Sequence, residues 1–329
     1  MSAYNYLVDY VLRNYKQELE PSGESFDYYV NGEFDYCVVL GMGGSGIIGR
    51  YLRSMVQERW GKPVFVFDYT DVGVPLNGKF LLLAVSYSGE TRETIESFKK
   101  ISPKASCIGV VSGKGELAEL GVKLGARVLE VGGSPAPRFG FAKMLSASLG
   151  LFAGLTGERW VIDELHKAAE ELTPLTSNIW GEEVDGLVRF LSDGVPIIYS
   201  SQHLLPVGYR WKTQLNENAK VHAFHSALPE ANHNEVNAQL GRCEFRGLLL
   251  MSQNYDKLTR ASYEAYSRVT GVPCRRVWAR GSSQLSEMLY TTVYGDYVSL
   301  RLAKILGVDP LRVEAISTLK SIQGRLLKE

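Results

Sequence analysis

Short apolar runs alternate with helix-length amphipathic segments along most of the chain. In the first 131 residues, five of these runs are long enough for a buried strand and too short for a helix. Helical patterns separate most of them, for example at residues 116–124. Alternating strands and helices predict an α/β fold with a parallel sheet and helices on both faces. The predicted strands cover residues 37–40, 64–67, 80–85, 107–111 and 128–131.

The pattern restarts after a helical region and a polar connector near residues 173–181. An amphipathic helix is also predicted at the N-terminus, from Tyr4 to Tyr15. We therefore predict two α/β domains, residues 1–158 and 159–329, each a mostly parallel sheet flanked by helices in three layers. Later helices are predicted at about 139–155, 161–172, 207–218, 258–270, 283–306 and 313–327, and later strands at 195–199, 248–251 and 276–279.

Composition and charge argue against several classes of function. The 36 basic and 36 acidic side chains cancel, so the chain has no electrostatic footprint for nucleic acid or an anionic membrane. No apolar run approaches the roughly 20 residues of a membrane span, and no signal-peptide pattern is present, so we expect a cytoplasmic protein. The cysteines are far apart in sequence, which favours buried free thiols, although a disulfide stays open for a hyperthermophilic source. They are Cys37, Cys107, Cys243 and Cys274.

The turn at residues 86–91 carries the strongest chemical signal. It reads Ser-Tyr-Ser-Gly-Glu-Thr and joins a predicted strand to a predicted helix. A helix N-terminus offers unpaired N–H groups and a positive dipole end, which favour an anion. The hydroxyls of Ser86, Ser88 and Thr91 add hydrogen-bond donors without charge. This turn predicts a cradle for the phosphate group of a small metabolite.

A glycine loop at residues 41–46 has competing interpretations. Its Gly-x-Gly-x-x-Gly pattern, with Asp68 about 20 residues beyond it, fits the dinucleotide-binding fingerprint. The second phosphate turn and the hydroxyl of Ser45 instead favour a compact phosphomonoester held between two loops, with Gly43 and Gly44 beside it. A tight turn with glycines for packing alone is the third interpretation.

Several segments in order resemble the bifunctional phosphoglucose/phosphomannose isomerase family, whose members carry sugar isomerase (SIS) domains. The resemblance spans nearly the whole chain. It implies two SIS domains and an aldose–ketose isomerase that converts glucose 6-phosphate, and also mannose 6-phosphate, to fructose 6-phosphate through an enediol. The matching segments are residues 41–46, 86–91, 134–138 (Ser-Pro-Ala-Pro-Arg), 216–220 (Asn-Glu-Asn-Ala-Lys), 228–234 (Leu-Pro-Glu-Ala-Asn-His-Asn) and 309–311 with Lys320.

The resemblance also implies a role for individual residues. The reaction moves a proton between C1 and C2, which requires a base, a ring-opening group and positive charge near the enediolate. By resemblance Glu217 is the base, His233 opens the ring and Arg138 stabilises the enediolate. Lys320 would assist ring opening or balance the enediol charge. In relatives the histidine comes from the neighbouring subunit, which implies a homodimer with shared active sites.

Without the resemblance, a non-catalytic interpretation stays open for each of these four residues. Glu217 then lies at a solvated helix end, His233 in a hydrogen-bonded turn, Arg138 on the surface and Lys320 on the exposed side of a helix.

At one further position this sequence has a different residue from its relatives. Relatives have a threonine near the start of the final helix that is linked to tolerance of both C2 epimers. The matching residue, counted without gaps from Lys320, is Val313, which is nearly isosteric but has no hydroxyl. We expect mannose 6-phosphate activity to depend on Val313.

Other functions fit parts of the same sequence. A non-catalytic sugar-phosphate sensor would also keep the phosphate loops, and an NAD-dependent oxidoreductase would use the glycine loop and Asp68. A zinc site would draw on His222, His225, His233 and Glu235, but residues 221–225 look extended, which points the first two histidines to opposite faces. The enediol route needs neither metal nor cofactor, so we expect none.

Overall fold

A computed structural model describes residues 3–19, 32–69, 76–177, 181–238 and 244–327. Its N-terminal helical segment consists of α1 (Ala3–Asp9) and α2 (Tyr15–Leu19), joined by a π-helical turn at Tyr10–Asn14. This segment was predicted as one amphipathic helix. Its apolar side is buried, as the pattern indicated.

The first sheet has five parallel strands in the order β2-β1-β3-β4-β5. Every residue of the central strand β3 is buried, as expected for a strand covered on both faces. All five strands agree with the sequence prediction to within one residue. They are β1 (Tyr36–Leu40), β2 (Val64–Phe67), β3 (Phe80–Ser86), β4 (Cys107–Ser112) and β5 (Arg127–Glu130).

Helices cover both faces of this sheet. On one face, α3 (Gly43–Trp60) and α6 (Phe141–Thr156) pack against side chains such as Val39 and Leu83. On the other, α4 (Arg92–Ile101) and α5 (Glu116–Lys123) enclose a smaller core. The alternation of strand residues between these two cores follows the two-residue period of a strand.

The second sheet has four parallel strands in the order β7-β6-β8-β9. Three of them were predicted. The edge strand β7 was not, because its Phe-His-Ser-Ala sequence is short, mixed and only partly buried. The strands are β6 (Val195–Ser200), β7 (Phe224–Ala227), β8 (Phe245–Met251) and β9 (Cys274–Trp278).

The helices of the second half share one core with the first. Helix α11, almost wholly buried, packs on α7 and α9, and α9 also contacts β6 and α3. Helix α8 was not predicted, although its buried apolar residues have helical spacing. The helices are α7 (Trp160–Thr176), α8 (Glu182–Ser192), α9 (Leu205–Asn218), α10 (Lys257–Val269), α11 (Gln284–Leu306) and α12 (Glu314–Leu326).

One segment, Pro137–Thr156, is long and apolar enough to cross a membrane, which the sequence analysis did not anticipate. Within the fold, 83% of its apolar window is buried. Core packing therefore accounts for its composition.

Candidate active site

The two predicted phosphate loops lie at the carboxyl ends of neighbouring strands. The glycine loop follows β1 and the Ser86–Thr91 turn follows β3, and these strands pair in parallel. Strand β1 is flanked by β2 on its other side, so the chain order reverses between β1 and β3. Open parallel sheets bind ligands at such a reversal.

The Ser86–Thr91 turn is fixed by its own hydroxyl groups. The buried Ser86 Oγ donates to Thr91 Oγ1 at 3.2 Å and accepts from the Gly89 N–H at 3.2 Å. Gly89 has φ +73°, where a side chain would be strained. Ser88 is exposed, and its Oγ accepts from Glu90 N–H at 3.2 Å. Thr91 is the N-cap of α4 and makes no side-chain cap bond, so the helix start is open to an anion.

The glycine loop leads directly into α3. Helix α3 begins at Gly43, which has φ +53°. The buried Ser45 Oγ accepts from the Tyr87 N–H at 3.2 Å and so joins the two loops. A Cβ added at Gly44 would lie 3.9 Å from Cα of Arg138. The loop therefore lies beside the arginine that the sequence singled out.

Asp68, the acidic residue of the dinucleotide interpretation, is paired with Arg50. Its carboxylate is thus engaged by a guanidinium within the protein. The ribose-binding role proposed for it would require this pair to open.

Arg138 and Glu217, which are far apart in sequence, meet in the structure. Arg138 lies in the 3₁₀ turn Pro137–Gly140 and its side chain is 3% exposed. Its NH1 lies 3.4 Å from Oε2 of Glu217, and its Nε donates to Asn218 Oδ1 at 2.7 Å. Its NH2 donates to the Pro310 carbonyl. Burial lowers the pKa of Arg138, and the Glu217 carboxylate opposes this shift. The surface interpretation of Arg138 is therefore wrong.

Glu217 opens onto a cleft of about 770 Å³. Its side chain is 32% exposed, so a substrate can reach the carboxylate. Val313, just before α12, lines the same cleft. The cleft residues are Asn216, Glu217, Lys220, Gly307, Val308, Asp309, Arg312, Val313, Glu314, Ala315 and Ile316.

Lys220 is a cleft residue to which the sequence analysis gave no role. It has φ +61°, uncommon for a lysine, and its Nζ donates to the carbonyls of Glu217 and Arg312. Burial and then the nearby Arg138 lower the pKa of Lys220. The signal was its place in the Asn-Glu-Asn-Ala-Lys segment, three residues after the candidate base.

A buried polar network supports the arginine from behind. Arg210 donates to Asp296 at 2.6 Å and to the Arg138 carbonyl at 3.1 Å. Asp296 also accepts from Tyr15 at 2.8 Å and from Gln214 at 2.9 Å. Burial acts to lower the pKa of Arg210, but Asp296 outweighs it and the pKa lies above its usual range. The ion pair and the hydrogen bonds around Asp296 hold these side chains in one arrangement.

His233 and Lys320 lie elsewhere in this chain. His233 is exposed at the end of the 3₁₀ turn Glu230–His233, whose Asn232 contacts Ser262 of α10. Lys320 is exposed on α12, a helix with no buried residue, and does not line the cleft. Their catalytic roles stay predictions.

Two of the residues considered for a metal site, His225 and Glu235, are held by other partners. His225 Nε2 lies 2.7 Å from Ser200 Oγ, and burial lowers the pKa of His225 to about 4. Glu235 accepts from Ser226 and Tyr199. No group of three or more His, Cys, Asp or Glu side chains that could hold a metal ion occurs in the described ranges.

Three of the four cysteines are free thiols, as expected. Cys37 is buried, and Cys107 and Cys274 are partly buried. Cys243 lies outside the described residues.

Comparisons with known proteins identify the family and the fold. Residues 182–322 match the bacterial phospho-glucose isomerase C-terminal SIS domain. The chain is 32% identical over 292 residues to the bifunctional phosphoglucose/phosphomannose isomerase of Thermoplasma acidophilum, covering 88% of this chain and 90% of that one. It is 31% identical over 296 residues to the protein of the same name from Aquifex aeolicus, covering 86% and 88%. The solved glucosamine-6-phosphate deaminase of Thermotoga maritima superposes with a TM-score of 0.73 over 94% and 96% of the chains; at 11% identity this supports the fold alone.

Proposed function

This chain belongs to the bifunctional phosphoglucose/phosphomannose isomerase family, and on that premise we propose that it interconverts glucose 6-phosphate and mannose 6-phosphate with fructose 6-phosphate through a metal-independent cis-enediolate. The observation that carries the proposal is the Glu217 carboxylate, 3.4 Å from the buried Arg138 guanidinium and open to a cleft.

Glu217 takes the proton from C2 of the open-chain aldose and returns it to C1. Glucose 6-phosphate and mannose 6-phosphate differ only at C2, so both give the same enediolate once that proton leaves. Arg138 balances the negative charge that develops on the oxygens of C1 and C2. Because its guanidinium is already fixed by Asn218 and Pro310, little reorganisation is needed when that charge appears.

The phosphate group binds at the two loops. The start of α4 and the hydroxyls of Ser88 and Thr91 supply donors on one side, and Gly43, Gly44 and Ser45 lie on the other. The proximity of Gly44 to Arg138 supports this arrangement, because one substrate must reach both the loops and the base.

His233 acts from the neighbouring subunit of a homodimer, and the two halves of each chain are SIS domains. The exposed position of His233, outside the Glu217 cleft of its own chain, supports sharing between subunits. Lys320 then assists from α12.

The test is to incubate the purified protein with fructose 6-phosphate and a chelator, and to measure both aldose phosphates separately. Glu217→Gln should lower kcat for both products about 10²- to 10⁴-fold, because the amide cannot accept the proton. Glu170→Gln, an exposed carboxylate on α7, is the matched control and should leave kcat unchanged.

Each other outcome has a definite meaning. Glucose 6-phosphate alone would refute the mannose half of the proposal. Absence of turnover while sugar phosphate still binds would replace the isomerase with the sensor. Activity lost to the chelator and restored by a divalent metal would refute metal independence.

A further inference from the structure

A second cavity lies at the carboxyl edge of the second sheet, separate from the Glu217 cleft. Its volume is about 670 Å³, within the range of small-molecule sites. It is bounded by α3 of the first half and by the turns that follow β6 and β8. The lining residues that matter to the argument are Arg50, Arg53, Gln57, Gln202, Asn254 and Gln284.

The cavity has the same topological place as the phosphate loops. In the second sheet β6 pairs with β7 on one side and with β8 on the other, so the chain order reverses between β6 and β8. Gln202 follows β6 and Asn254 follows β8, at this reversal. The phosphate loops of the first sheet lie at the equivalent reversal between β1 and β3. The first sheet has its two loops, and the second sheet has this cavity, at the position where parallel sheets bind ligands.

Two arginines one turn apart on α3 line the cavity. Arg50 is paired with Asp68 and lies 4.6 Å from the centre of the Tyr209 ring. Arg53 has no hydrogen bond or ion pair within the described part of the chain. Arg53 is exposed, and desolvation and then repulsion from Arg50 lower its pKa, against the attraction of Asp68. An anion between these guanidinium groups would relieve the repulsion and use donors that are otherwise idle.

Glu58 and Asp256 also line the cavity, and neither is paired with Arg50 or Arg53 in the described ranges. Asp256 caps α10, accepting at 2.8 Å from both the N–H and the hydroxyl of Thr259, and these bonds lower its pKa. Its charge is therefore directed to the helix N-terminus. Glu58 is exposed and can accept hydrogen bonds from hydroxyl groups.

The floor of the cavity is already ordered. His203 Nε2 lies 2.6 Å from Glu287, which also accepts from Ser252 at 2.7 Å. Gln202 has φ +46°, an uncommon conformation for a non-glycine residue. Its side-chain amide donates to Asp256 and Thr259. A ligand would meet a preformed surface rather than one that it must organise.

We propose that this cavity binds a small phosphorylated metabolite, with its phosphate between Arg50 and Arg53 and its hydroxyl groups on the surrounding side-chain amides. The cavity exceeds what a phosphate ion needs, and the amides and Glu58 match hydroxyl groups. This site is additional to the proposed isomerase site.

The test counts binding sites by equilibrium dialysis with radiolabelled glucitol 6-phosphate, which has no carbonyl and cannot be isomerised. Wild type should bind two molecules per chain. Arg53→Glu should weaken one site at least tenfold, because it replaces a cation with an anion. The combined Ser88→Ala and Thr91→Ala variant should weaken the other site. Lys100→Glu, the same charge change on the exposed side of α4, should keep both.

Isomerase activity separates this proposal from the proposed function. Arg53→Glu should keep wild-type kcat and KM, which also shows that it folds; Arg53→Gln is the milder second variant. One molecule per chain in wild type whose binding Arg53→Glu leaves unchanged, or two molecules unaffected by either Arg53 variant, would overturn the proposal. If inorganic phosphate displaces the probe from this site at equal or lower concentration than unlabelled glucitol 6-phosphate, the ligand is free phosphate and the metabolite assignment is wrong.

Discussion

Asn218 connects the Arg138 guanidinium to the core of the protein. Its Oδ1 accepts from Arg138 Nε at 2.7 Å, and its Nδ2 donates to Ser299 Oγ at 2.9 Å. The side chain is fully buried, so neither bond is exchanged with water. The sequence placed Asn218 beside the candidate base, but only the structure gives it a positioning role.

Asn218→Ala should lower kcat about 10- to 100-fold with a smaller change in KM. The arginine keeps its charge but loses the acceptor that orients it toward the enediolate, and an unpaired buried donor costs about 1–3 kcal/mol. Steady-state kinetics on glucose 6-phosphate would measure this. Ser299→Ala removes the outer bond and the bond from Ser299 Oγ to the Asp296 carbonyl, but it leaves the Asn218–Arg138 bond in place, so it should have a smaller effect. A rise in KM at unchanged kcat would contradict the positioning role.

Val313 lines the cleft that contains Glu217, as expected for a residue that contacts the sugar. Val313→Gln adds bulk and a competing amide, so it should lower kcat/KM for mannose 6-phosphate more than for glucose 6-phosphate. Parallel assays of the two substrates would give the ratio. Ile316→Gln, an amide added to the same cleft, is the control and should affect both equally. An equal loss of kcat/KM for both substrates in Val313→Gln would show that Val313 does not determine specificity.

At the scale of elements, the phosphate turn after β3 rests on the loop that carries Arg138. Tyr87 accepts from the Ser134 N–H at 2.8 Å, which holds its ring against Gly140. A Cβ at Gly140 would come within 2.3 Å of that ring. Two loops from different strands are therefore coupled by one close contact.

Gly140→Ala should raise the KM for glucose 6-phosphate about tenfold, because the Tyr87 ring must move and shift the hydroxyls of the turn. Initial rates over a range of substrate concentrations would measure it. In Gly132→Ala the new methyl meets nothing within 4 Å, so this variant is the control from the same loop. An unchanged KM in Gly140→Ala would show that the turn does not depend on this contact.

Elements with a strong period were predictable, and weak or irregular ones were not. The β3 run and the long α11 segment carry unambiguous apolar patterns, and both were located. Strand β7 was missed because edge strands are short and half-buried, so their alternation is faint. The buried residues of α8, from Val184 to Leu191, did have helical spacing, and the polar connector before them masked it. The π-helical turn has no signal in the apolar pattern.

The same limit applies to the site. Residue types and turns predicted a phosphate cradle, but nothing in the spacing joined Arg138 to Glu217, which come from different halves. Family resemblance placed both residues in one site. The fold brings them together because α9 packs against α3 and against the turn that precedes α6. Asn218 and Lys220 stayed without roles because a hydrogen-bond partner cannot be inferred from sequence neighbours.

At the scale of the whole molecule, a single core crosses the predicted domain boundary. Tyr15 at the N-terminus, Arg210 on α9 and Asp296 on α11 meet in one buried network behind Arg138. Arg138 is thus held by both halves of the chain. The division into residues 1–158 and 159–329 stays a prediction about fold units, and these units do not pack independently.

The proposed homodimer with shared sites makes a testable prediction about mixed subunits. If each site takes Glu217 from one chain and His233 from the other, Glu217→Gln and His233→Asn homodimers are both inactive. A heterodimer of the two variants regains one site with both native residues, while its other site carries both substitutions. Random exchange makes half of the dimers mixed, so the mixture should regain about a quarter of wild-type activity and the purified heterodimer about half.

Differently tagged variants, unfolded and refolded together or co-expressed, would allow the heterodimer to be purified before the assay. Co-refolding each variant with itself is the control and should give no recovery. An inactive heterodimer would place both residues in the site of one chain, which requires His233 to move from its exposed position toward the Glu217 cleft. Complementation would instead explain why His233, the ring-opening candidate, is exposed in its own chain, because it would act in the cleft of the partner subunit.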